Sequence, residues 1–121
     1  MTYESVAVVE SRVASGVKFT VAKMSFGRRM DLMRQVRELA RKVEFLEAGN
    51  SAGQQMDAAL LRVEIDRVYV KWGLLGIAGL ELDGIDATPE SLAEAGPEEV
   101  FREALGLVRL QTGLNAEERK N

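Results

Sequence analysis

The chain contains neither cysteine nor histidine, and only two of its 121 residues are proline. Without cysteine there are no disulfides, no thiolate nucleophile and no thiolate metal site. Without histidine the commonest general base and the commonest transition-metal ligand are also missing. No run of 18 apolar residues occurs. The most apolar stretch, Val68 to Leu82, is broken by Lys71, Gly73, Gly76, Gly79 and Glu81. The first ten residues carry two acids and no base, and Val6 to Val9 is too short for the apolar centre of a secretory signal. These absences predict a cytoplasmic chain with no membrane span. They also argue against an enzyme and against any cofactor.

What is present suffices for an ordinary core. At 13.3 kDa and 46% hydrophobic residues, one domain of this size exposes roughly 6,400 Å² folded against about 19,000 Å² unfolded. The net charge of −3 conceals a segregation. Lys18 to Lys42 holds eight bases and two acids, a net of +6, whereas Glu81 to Glu103 holds eight acids and one base, a net of −7. Such a layout is satisfied within one molecule, between copies, or by an external partner, and the first is the simplest expectation.

Patterning divides the single domain, 1–121, into three segments. Residues 1–24 are β-rich: 3–9 and 17–24 favour strands, and Ala14-Ser15-Gly16 is a turn between them. Residues 25–76 read as a helical hairpin. Ser25 caps a first helix with the stripe Leu32, Val36, Leu39, Val43 and Leu46, widened by Met33, Ala40 and Phe45. Gly49-Asn50 stops it, and Asn50 or Ser51 starts a second helix with the stripe Leu61, Ile65, Val68, Trp72 and Leu75. Two long helices joined this closely pack antiparallel.

Residues 77–121 combine short strands with acidic helices. Gly73 and Gly76 loosen the end of the second helix, and Ile77 to Leu82 is expected to be a strand. Asp83-Gly84 marks a hairpin turn, with Ile85 to Ala87 as the return. Thr88-Pro89 opens a short helix, and Gly96-Pro97 separates it from another with the stripe Val100, Phe101, Ala104, Leu105 and Val108. Gly113 should end that helix, and Asn115 to Glu118 resembles a capping box. The expected class is α+β, mainly α.

The chemistry-bearing constellations mostly have plain readings. Asp83 and Asp86 supply too few oxygens for a calcium loop. Ser25, Ser51, Thr88 and Ser91 are explained by capping, and no nucleophile–histidine pair or phosphate cradle exists. Arg34, Arg37 and Arg41 share one side of the first helix, as a nucleic-acid or protein-docking face would require. A pI near 5.1, the lack of a recognised nucleic-acid motif and the lack of interleaved aromatics argue against nucleic acid. Tyr69 and Trp72 are core residues or an interface anchor. Met24, Met30, Met33 and Met56 fall round the first two helices and are expected to fill core gaps.

The order of strand pair, basic helix, second helix, D-G turn, T-P-E-S-L and acidic helix resembles the tail assembly chaperones encoded in phage and prophage tail operons. Residues 18–49 and the terminal LNAEERKN carry most of the likeness, with 72–84 (WGLLGIAGLELDG) beside them. The resemblance implies a non-enzymatic morphogenesis protein that binds the tape measure protein until tail-tube subunits polymerise round it. It also implies self-association into a homo-oligomer and a contact with the tail-tube protein. Candidate protein-binding residues are Arg34, Arg37, Arg41, Tyr69 and Trp72. Two alternatives are a self-assembling structural connector of the tail and a small nucleic-acid-binding regulator using Arg28 to Arg41.

Overall fold

The computed structural model describes residues 1–112, an α+β chain dominated by helix. Strands β1 (Val6–Glu10) and β2 (Lys18–Ala22) form the expected antiparallel hairpin, in register from Val6 opposite Ala22 to Glu10 opposite Lys18. Gly16, at φ +81°, supplies the left-handed residue in the connecting loop. Val17, Phe19 and Val21 are buried and Lys18 is exposed, but Ala22, on the face of Lys18, is buried as well.

Helix α1 (Phe26–Glu47) starts where the period changes, with the Ser25 hydroxyl accepting from the Arg28 amide. Helix α2 (Ala52–Gly73) starts at Ser51 through a capping box with Gln54. The two pack extensively against each other. The predicted α1 stripe holds, since Leu32 and Val43 are buried and Val36, Leu39 and Leu46 half-buried. Its widening does not: Met33, Ala40 and Phe45 are exposed. A helix with one neighbour buries only a narrow face, and α1 has α2 as its main neighbour. The same geometry corrects the methionine reading, because Met30, Met33 and Met56 are exposed.

The end of α2 departs from expectation. The helix stops at Gly73, and β3 (Leu74–Ala78) follows at once, pairing antiparallel with β2 to complete a three-stranded sheet of order β1-β2-β3. The strand expected over Ile77 to Leu82 is therefore displaced toward the N-terminus, and Leu75 belongs to a strand, not to the helical stripe. Gly79, at φ +82°, separates β3 from β4 (Glu81–Leu82). Strands β4 and β5 (Ile85–Asp86) form a small hairpin across Asp83 (φ 54°) and Gly84 (φ 82°), the two left-handed residues that a D-G turn requires. Thr88 caps α3 (Pro89–Ala95) in a box with Ser91, and α4 (Glu98–Thr112) follows. The expected stop at Gly113 and the capping box at Asn115 to Glu118 lie outside the described residues.

The main core joins Phe19 and Val21 of β2 to Val70 of α2, Leu74 of β3, Leu92 of α3 and the buried face of α4. No α1 residue belongs to that cluster. The molecule thus has a head, built from the sheet with α3, α4 and the end of α2, and a helical hairpin of which one member is held chiefly by the other. At 1.5 Å per residue each hairpin helix is about 33 Å long.

Candidate functional site

The arginines of α1 fall into two groups. Arg28 donates to the backbone carbonyls of Ser5 and Lys23, and Arg29 to that of Thr112 at 3.1 Å, so both fasten the start of α1 to the head. Arg34, Arg37 and Arg41 stand instead on the side of α1 turned away from α2. Their spacing relative to the buried stripe puts them roughly half a turn from it. With Met30, Met33, Ala40 and Glu44 they form one open face of α1. Arg41 lies 3.7 Å from Glu38 with both side chains well exposed. Among the described residues Arg34 and Arg37 have no ion-pair partner.

The two candidate aromatics sit elsewhere. Tyr69 is half-buried against the main core, with the Arg109 guanidinium 4.7 Å from its ring centre, and Arg109 also pairs with Asp66. Trp72 donates its indole N–H to Asp31 Oδ2 at 2.9 Å, tying α2 to α1. Both aromatics act as joints, Tyr69 between α2 and α4 and Trp72 between α2 and α1. They share no face with the three arginines.

A second exposed face escaped the sequence reading. On α2 the residues Met56, Leu60, Val63 and Val70 lie on one helical side with Arg67 completing the +4, +3 spacing, and Leu74, the first residue of β3, continues it. Val70 and Leu74 are buried in the core, whereas Met56, Leu60 and Val63 are 65%, 64% and 64% exposed. The stripe thus begins against α3 and α4 and runs out into solvent beyond them. The signal was available as a second apolar periodicity beside the one that faces α1; it went unread because one stripe is all that a two-helix hairpin needs.

The acidic segment keeps to the head. Glu94 pairs with Arg67 at 3.2 Å and Glu98 with Arg102 at 3.0 Å. The Glu103 carboxylate accepts from the Ser11 hydroxyl at 2.5 Å and the Arg12 amide at 2.7 Å, bracing the β1–β2 loop. Glu81, Asp83, Asp86 and Glu90 are exposed and have no ion-pair partner among the described residues. None of the ion pairs among the described residues joins the basic segment to the acidic one.

Among the described residues no group of three histidine, cysteine or carboxylate side chains could hold a metal ion. No helix there is long and apolar enough to cross a membrane. Comparison with protein-family models, with curated proteins and with solved structures finds no match to this chain.

Proposed function

We propose that this chain is a non-enzymatic protein of phage or prophage tail morphogenesis, an assembly chaperone that holds the tape measure protein in the host cytoplasm. The observation that carries the reading is the solvent-exposed half of the α2 stripe, Met56, Leu60 and Val63. An apolar helical strip already continuous with a core is suited to receive an amphipathic helix from another chain. A flexible methionine at its end accommodates a client whose contact residues vary along its length. The layout resemblance supplies the identity of the client, a long helical chain that needs cover before the tube forms round it.

The test is co-expression with the tape measure protein of the same operon. Wild type should raise its soluble yield and co-purify with it. The triple variant Met56→Gln, Leu60→Gln, Val63→Gln should lose both while keeping its own fold, since exposed positions of this kind shift stability by about 0.5 kcal/mol or less each. No gain in soluble tape measure protein with wild type overturns the proposal. Equal gains from wild type and variant move the client to another face.

A further inference from the structure

We propose that the Arg34/Arg37/Arg41 face of α1 docks the acidic β4–β5 hairpin of a second copy, so that the chain associates head to tail. This goes beyond the client-binding reading and uses residues separate from the α2 stripe.

The two faces complement each other in charge and in composition. On α1, guanidinium groups are interleaved with exposed Met30 and with Met33. On the head, Asp83 and Asp86 flank Ile85, which is 73% exposed, and with Leu82 and Ser91 they border a shallow depression of about 340 Å³. The head face thus sets an exposed apolar side chain between carboxylates, and the α1 face sets methionines among three arginines, with Glu44 also lining it. Within a single copy the two sets cannot neutralise each other. The α1 arginines point away from α2, while the hairpin packs on α3, and no ion pair among the described residues links them.

A two-fold contact made by either face alone would set like charges together, which repel. Arginine meets carboxylate either in two reciprocal contacts of one closed dimer or in one contact head to tail, and the head-to-tail pairing leaves one face of each sign free, the condition for a ring or an open filament. Exposed charge pairs are screened over about 10 Å at 0.1 M salt and about 3 Å at 1 M. The association should therefore fail at high ionic strength.

Sedimentation velocity on the full chain tests this at about 50 mM and about 500 mM sodium chloride. Wild type should sediment as dimers and larger species at low salt and as monomer at high salt. Two variants each neutralise one face: Arg34→Gln with Arg37→Gln, and Asp83→Asn with Asp86→Asn. Asparagine is chosen because it tolerates the left-handed backbone of Asp83. Each should weaken self-association at least tenfold. An equimolar mixture should form a one-to-one complex and stop there, because only one intact face of each sign remains.

A wild type that is monomeric at low salt overturns the proposal. So does a mixture that behaves as the sum of its parts, which indicates like-with-like pairing. Binding of a single-stranded oligonucleotide that is lost with Arg34→Gln/Arg37→Gln, with wild type monomeric, reassigns the basic face to nucleic acid. Circular dichroism of each variant checks that a loss reflects the face and not the fold.

Discussion

Gly73 ends α2 where that helix packs tightly against Val108 of α4. A Cβ placed there would lie 2.5 Å from Val108 Cγ1, 3.0 Å from Cγ2 and 3.3 Å from Cβ. Carbon atoms in contact prefer about 3.5–4.0 Å. Turning the valine exchanges one methyl for the other but leaves its Cβ too near, and a β-branched side chain in a helix has little rotamer freedom. Val108 is itself buried in the main core, so relief requires the helices to part. Gly73→Ala therefore sets two effects against each other. Helix preference favours alanine by at most about 1 kcal/mol, and less at a terminus. Overpacking costs about 1–3 kcal/mol. We expect a net loss of about 1 kcal/mol, or about 4 °C in Tm for a chain of this size. Val108→Ala alone should cost about 2 kcal/mol for the methyls removed and the space left. The double variant should cost less than the sum by about 1 kcal/mol, because the new methyl occupies that space. Urea unfolding followed by circular dichroism measures all three. Gly73→Ala more stable than wild type, or strict additivity in the double variant, refutes the reasoning.

Other expectations rest on single joints. Glu103→Ala removes two hydrogen bonds to a carboxylate and frees the β1–β2 loop, costing about 2 kcal/mol in urea unfolding; a change within 0.5 kcal/mol would show that the loop holds itself. Asp31→Ala deprives Trp72 and Gln35 of a shared acceptor oxygen. It should cost about 1 kcal/mol and alter the emission of Trp72, the sole tryptophan; an unchanged spectrum would mean that the indole is held by packing alone.

Much of the fold was legible because local rules and tertiary structure agree there. Ser25, Ser51 and Thr88 cap helices as their side chains dictate, and the Asp83-Gly84 turn follows from its need for two positive φ angles. The errors share one physical origin. Periodicity marks a residue as suited to burial but is silent on whether a neighbour arrives to cover it. Met33, Phe45 and Met56 fit a helical stripe and stay exposed, since α1 and the start of α2 stand clear of the main core. Leu74 and Leu75 continue a helical apolar pattern, yet the chain turns into β3 because β2 offers an unpaired edge. Gly73 reads as a loose helix end, whereas its position is set by a close approach to α4 that involves a residue 35 positions away.

The candidate site divides along the same line. The +6 and −7 segments were plain in the amino-acid order, as was the one-sided placement of Arg34, Arg37 and Arg41, because both depend only on counting and helical spacing. Packing alone decided what those charges meet. It withdrew Arg28 and Arg29 into backbone contacts, engaged Glu103 with the β1–β2 loop, and seated Tyr69 and Trp72 at joints between helices. It left α1 with open arginines on one side and the β4–β5 hairpin with open carboxylates on the other. Charge and periodicity are properties of neighbours in the chain, whereas exposure and pairing belong to residues that folding alone brings together or holds apart.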